Sequence, residues 1–149
     1  MKNLFEPATV REVIARVAHL RPESQRQWGR MTVGQAVAHC AAGFEMASGD
    51  RRPPGRRGFG RIIGRIVKPM VFRNNAPFRR NTPTMIEVTD DRDLATERER
   101  LLGVIDRFAA MGPPGCTSHP HPFFGQLTPQ EWSILMYKHL DHHLRQFGV

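Results

Sequence analysis

Apolar residues recur along most of the chain at helical rather than alternating spacing. Val10, Val13, Ile14 and Val17 repeat at intervals of three and four, laying one stripe on a helix predicted from about Pro7 to Leu20. The loop "RPESQRQWGRM" follows, with Trp28 as its candidate anchor. The next helix opens at "TVGQ", where Thr32 and Gln35 have the spacing of a capping box. From Val33 to Ala47 only Gln35, His39 and Glu45 are clearly polar, so this helix should be buried around most of its circumference.

Further on, Ile62, Ile63, Ile66, Val67 and Met70 predict a short amphipathic helix that breaks near Pro69. It could cover the bundle core with its arginines reaching outward, or lie on a membrane or a partner; the first arrangement is the commoner. Leu94, Leu101, Leu102, Ile105 and Phe108 define a third long helix, about Asp93 to Met111, ended by "GPPG". In "LTPQEW", Thr128 is the N-cap, Pro129 the first helical residue and Glu131 the partner in a second capping box, for a helix reaching about Phe147. Four long helices, with no strand pattern and no internal repeat, predict an all-α protein: an antiparallel four-helix bundle whose long crossover contains a short extra helix. Residues 1–149 are expected to form a single domain, long enough to bury a core without disulfides.

Charge sharpens the picture of the crossover. Residues 51 to 86 hold ten Arg and Lys and no Asp or Glu, and the rest of the chain is slightly acidic, so the whole excess of the +8 net charge sits there. Such a segment can attract phosphate backbones or anionic lipid, but a solvated insertion between helices is the commoner origin. No helix-turn-helix or aromatic RNA-binding motif accompanies it. The two cysteines, Cys40 and Cys116, are not in a framework spacing and are read as free thiols. "MKNLFEPATVREV" lacks a signal-type apolar run, and no stretch approaches a membrane span, so a cytoplasmic location is expected.

The candidate chemistry lies in "KHLDHHLRQFG". On a helical wheel, Trp132, Leu135, Met136, Leu140 and Phe147 form the apolar stripe, and His139 and His143 fall at its centre, one turn apart. His142 falls at the edge; Lys138, Asp141 and Arg145 fall on the opposite, solvent face. A histidine pair at i and i+4 on one face can chelate one metal, although the catalytic Glu of a zincin is missing. His39, on the buried helix beside Ala36 and Gly43, is the candidate third ligand. Three neutral imidazoles from two facing helices would leave open positions, as catalytic zinc sites do. The competing reading is that these histidines are core residues satisfied by ordinary hydrogen bonds.

Other residues carry weaker signals. His119 and His121, in "PPGCTSHPHPFFG", could line the mouth of a site, but the flanking prolines point slightly more to a rigid connector. Gln146 could hydrogen-bond a ligand histidine or simply end the helix at the surface. Cys40 reads as a small core residue, and Cys116 as an inert loop thiol.

The "AHCAA" helix, the "HPHPFFGQLTPQEW" lead-in and "KHLDHHLRQFG" together resemble the DinB/YfiT-like superfamily of four-helix metalloenzymes, and more narrowly a bacterial branch described as a domain of unknown function. The resemblance extends over nearly the whole chain and is most specific in the last thirty residues. It implies a divalent metal held by His39, His139 and His143. Histidine ligands suit zinc, nickel, iron and copper, with zinc and nickel foremost. The better-studied members of the superfamily imply transfer or isomerisation with a low-molecular-weight thiol such as bacillithiol or mycothiol. The resulting expectation is a metal-dependent transferase or hydrolase acting on a small-molecule electrophile, with a homodimer compatible with that reading. The alternative is a non-catalytic binding module that docks segment 51–86 on nucleic acid or anionic membrane.

Overall fold

The computed structural model describes residues 1–53, 59–81 and 86–149, the side chains of 59–62 excepted. Arg56 and Arg57 of the basic run therefore lie outside the described residues. Helices α1 (Pro7–His19), α2 (Val33–Ser48), α3 (Phe59–Arg73), α4 (Leu94–Met111) and α5 (Pro129–Gln146) follow in that order. Among the described residues there is no strand, only an isolated bridge between His121 and Gly125.

Local chemistry sets the helix ends. A helix leaves its first N–H groups without internal partners, and polar side chains just before it supply them. At α2 the capping box is complete: Gln35 N–H donates to Thr32 Oγ1 at 3.2 Å, and Thr32 N–H donates to Gln35 Oε1 at 2.9 Å. Thr128 and Glu131 do the same at α5, over 3.2 and 2.8 Å. At α4, Asp93 accepts the Thr96 N–H at 2.8 Å. Proline opens α1 and α5, where its missing N–H costs no bond.

Helices α1, α2, α4 and α5 pack around one hydrophobic cluster, as the bundle expectation requires, with α2 lying most extensively against α4 and next against α5. Val13 and Val17 of α1, Val37, Cys40 and Phe44 of α2, Leu101, Ile105 and Phe108 of α4, and Trp132, Leu140 and Leu144 of α5 are its buried centre. Ala38, Ala41, Ala42 and Gly43 keep α2 slim, so neighbouring helices approach it from several sides.

Two expectations are corrected. Helix α3 does not break at Pro69 but runs through it to Arg73. The proline removes one N–H from the ladder, yet both Pro69 and Arg65, whose carbonyl loses that donor, are exposed, so water can satisfy the carbonyl. Lys138, placed on the solvent face by the wheel, is only 4% exposed. Its Nζ donates to the carbonyls of Val71 (2.7 Å), Asn74 (2.6 Å) and Ala76 (3.1 Å). These carbonyls close the C-terminal end of α3, where a cation is electrostatically favoured. A wheel drawn for one helix cannot show that another segment lies over its polar side. Asp141 on the same side is likewise held, accepting from Arg16 Nη1 at 2.8 Å. Among the described residues no helix is long and apolar enough to cross a membrane.

Candidate metal centre

The structure brings His39 of α2 together with His139 and His143 of α5. Their ring centroids lie 4.6, 4.9 and 5.0 Å apart pairwise, and one nitrogen from each ring lies within 4.8 Å of the other two. The approach of α2 to α5 at this level depends on Gly43. A Cβ there would sit 3.0 Å from His139 Nδ1 and 3.2 Å from its Cε1, so a side chain would push the ring away.

Which nitrogens face one another follows from what the others touch. His39 Nδ1 lies 2.8 Å from the carbonyl oxygen of Ile86. A carbonyl only accepts, so Nδ1 carries the hydrogen and Nε2 keeps its lone pair. His143 Nδ1 lies 2.8 Å from Gln146 Oε1. The Gln146 amide is oriented by its other end, because Nε2 donates to the carbonyl of Trp28 at 2.7 Å. His143 therefore also holds its hydrogen on Nδ1 and leaves Nε2 bare. His139 Nε2 meets His39 Nε2 at 2.7 Å. Two lone pairs repel at that distance, so a hydrogen on His139 Nε2 lies between them; an ion bound by both nitrogens would displace that hydrogen and sit off the line joining them, about 2.0–2.1 Å from each.

Burial keeps the cluster uncharged. Desolvation lowers the His39 pKa to about 4, against the opposing pull of the Ile86 carbonyl. The same effect, with His39 as a neighbour, lowers His143 to about 3, while the Gln146 hydrogen bond acts to raise it. His139 is held well below its ordinary value by burial first and then by His39 and His143. Three neutral imidazoles are the form in which histidine ligates a metal. Around His143 the wall is apolar: Val37, Cys40, Leu140, Leu144 and Phe147 leave a crevice of about 10 Å³, too small for more than one water.

The remaining candidates separate clearly. Gln146 is buried at 4% exposure and braces His143, the first of its two sequence readings. His121 is buried but is not one of the three grouped histidines, although it is near enough to His139 to help lower the pKa of that ring. Its Nδ1 accepts the N–H groups of Phe123 and Phe124, each at 3.1 Å, and its ring packs on Trp132. That is the rigid-connector role. His119 is exposed. His142 packs at the edge of the cluster between Trp28 and Phe78, 5.1 Å from the His143 ring. Burial raises the thiol pKa of Cys40, and that of Cys116 to about 11, so neither is a thiolate near pH 7. Two contributors escaped sequence reading, the carbonyls of Ile86 and Trp28, because every residue carries a carbonyl and only the fold aims these two.

A larger cavity, about 310 Å³, lies beside Ala38 and Ala42 and contains none of the three histidines. Its arginines are occupied: Arg92 pairs with Asp90 and Glu97, and Arg100 with Glu45 and Glu97. With Arg51 also paired to Glu45, the cavity offers no unpaired arginine to a ligand.

A family model described as a protein of unknown function, DUF1569, matches residues 5–148. The chain belongs to the DUF1569 family. No curated protein and no solved structure shows significant similarity to it. For this DUF1569 chain the geometry therefore stands alone as functional evidence, and it shows three histidines able to hold a metal ion.

The bracing of His143 has a measurable consequence. Gln146→Leu removes the acceptor for Nδ1–H and the tie to the Trp28 loop while keeping similar bulk. Zinc affinity is expected to fall about ten- to hundredfold, as for other losses behind a ligand histidine, by titration of chelator-stripped protein. An unchanged affinity would show that Gln146 only packs.

Proposed function

We propose that this DUF1569 protein is a divalent-metal enzyme of the DinB/YfiT-like kind, with His39, His139 and His143 as ligands. The observation that carries the reading is the convergence of three imidazoles, one nitrogen from each within 4.8 Å of the others, while the Nδ1 atoms of His39 and His143 are committed to Ile86 and Gln146. A core that merely tolerated histidines would have no reason to bring three desolvated rings together and orient two of them from behind. A divalent ion there would supply Lewis acidity and lower the pKa of a water or thiol into the neutral range. The chain's own part is to hold the ligands neutral, fix their tautomers and keep bulk water from the inner side of the cluster.

With only three protein ligands, positions remain for a small electrophile and an activated nucleophile, which favours transfer or hydrolysis over a purely structural ion. The low-molecular-weight thiol as nucleophile rests on the superfamily resemblance. No cysteine of this chain replaces it, since both thiols are held protonated.

The test is stoichiometry. Protein purified without a histidine tag is expected to carry, or after chelator treatment to take up, about one zinc or nickel per chain, by elemental analysis and calorimetric titration. Absence of metal with no uptake on titration would overturn the proposal.

A further inference from the structure

Helix α3 packs on α5 and on the loop before it, and those contacts settle which side faces inward. Gly64 is buried against the carbonyl of Phe123, where a Cβ would overlap the backbone. The Phe72 ring meets Phe124 at 5.5 Å, and Lys68 Nζ reaches the Gln126 carbonyl at 2.7 Å and Glu131 at 2.9 Å. The outward side is the unusual one. Ile66 is 72% exposed, Met70 65% and Ile63 38%, and they are three of the five large exposed hydrophobics among the described residues. At ~100° per residue they share an arc of about 60°. Isolated exposed apolar residues need no explanation, but three aligned on one helix do.

From the geometry we infer that this face of α3 binds the surface of an anionic lipid bilayer. The charge around the stripe selects the occupant. Arg73 lies beside Ile66 on the wheel, Arg65 lies further round, and among the described residues neither forms an ion pair. Segment 51–86 contains no acid at all. An aliphatic stripe edged by arginines on a short helix matches an interfacial helix, whose apolar side enters the acyl boundary while its cations meet lipid phosphates. Nucleic acid would use the arginines but gain nothing from Ile63, Ile66 and Met70, since backbone recognition is electrostatic and base recognition uses polar or aromatic groups. A second copy would set two cationic faces against each other. The binding is reversible, because one short stripe and a few charges fall short of a permanent anchor.

The experiment uses the whole protein and sedimentation with vesicles of phosphatidylcholine, with and without phosphatidylglycerol. Binding is expected only with phosphatidylglycerol and should weaken steeply with salt. Ile66→Ser combined with Met70→Ser should weaken it at least tenfold. Arg65→Ser combined with Arg73→Ser should weaken it by a similar amount, at roughly fivefold per charge. All four side chains are exposed, so unchanged circular dichroism should accompany both variants. Indifference of the wild type to phosphatidylglycerol would overturn the inference. So would loss of binding in the arginine variant alone with tight duplex DNA binding, which would assign the face to nucleic acid. Concentration-dependent dimerisation abolished by Ile66→Ser and Met70→Ser, without vesicle binding, would assign it to a second copy.

Discussion

His39→Ala, His139→Ala and His143→Ala are each expected to weaken zinc binding by at least about a hundredfold, more than losing a residue behind a ligand. His142→Ala, at the edge of the cluster, is expected to weaken it by less than about tenfold, and exposed His119→Ala not at all. The reason is geometric. One nitrogen from each of the three rings lies within 4.8 Å of the other two, and a site with three protein ligands has no spare donor when one is lost. The second readout is thermal. An ion present at a hundred times its Kd adds about 2.7 kcal/mol to the folded state, or roughly 8 °C for a chain of this size. Wild type should show that rise on adding zinc, and the three ligand variants should lose it. Only the zinc-dependent difference counts, since removing a buried imidazole changes the metal-free midpoint by itself. Retention of the full rise in His39→Ala would remove α2 from the site and leave α5 with a two-histidine pair.

Gly34→Ala should destabilise the protein by about 2–3 kcal/mol, a drop of roughly 8 °C in midpoint, although alanine is the better helix former. Gly34 is buried in the first turn of α2, and a Cβ there would overlap the carbonyl oxygen of Arg92. That carbonyl cannot simply retreat, because the Arg92 side chain is paired with Asp90 at 2.8 Å and with Glu97 at 3.0 Å. Gly103 is the matched control. It is exposed on α4 and a Cβ there would meet nothing within 4 Å, so Gly103→Ala should gain about 0.5–1 kcal/mol. The opposite signs separate packing from propensity in urea unfolding. Gly34→Ala should also lower zinc affinity, because the segment it displaces leads back to Ile86, whose carbonyl orients His39. Equal stabilisation by both substitutions would show that the chain before α4 is not packed on α2.

Local chemistry made most of the helices readable. Thr32 with Gln35 and Thr128 with Glu131 announce helix starts because unpaired N–H groups need acceptors at a fixed offset, whatever the rest of the chain does. The apolar run of α2 implied burial on several sides, and the structure surrounds it with α4 and α5. Pro69 misled because a proline cost is weighed without knowing whether the freed carbonyl faces water. Lys138 misled for the converse reason. A lysine on a polar face reads as solvated until α3 and the residues after it lay three carbonyls over it.

The same division runs through the candidate centre. Spacing alone placed His139 and His143 on one face of α5 and placed Gln146 within reach of His143, because i, i+3 and i+4 neighbours on a helix meet regardless of context. Composition alone set His39 among small residues that permit close approach. That His39 meets the pair, with its Nε2 2.7 Å from that of His139, is a relation between helices a hundred residues apart in sequence, and only packing decides it. So are the Ile86 carbonyl behind His39 and the Trp28 carbonyl behind Gln146. Side-chain identity and local periodicity are written in the chain residue by residue, whereas the direction of a backbone carbonyl and the pairing of distant helices exist only once the core has closed around them.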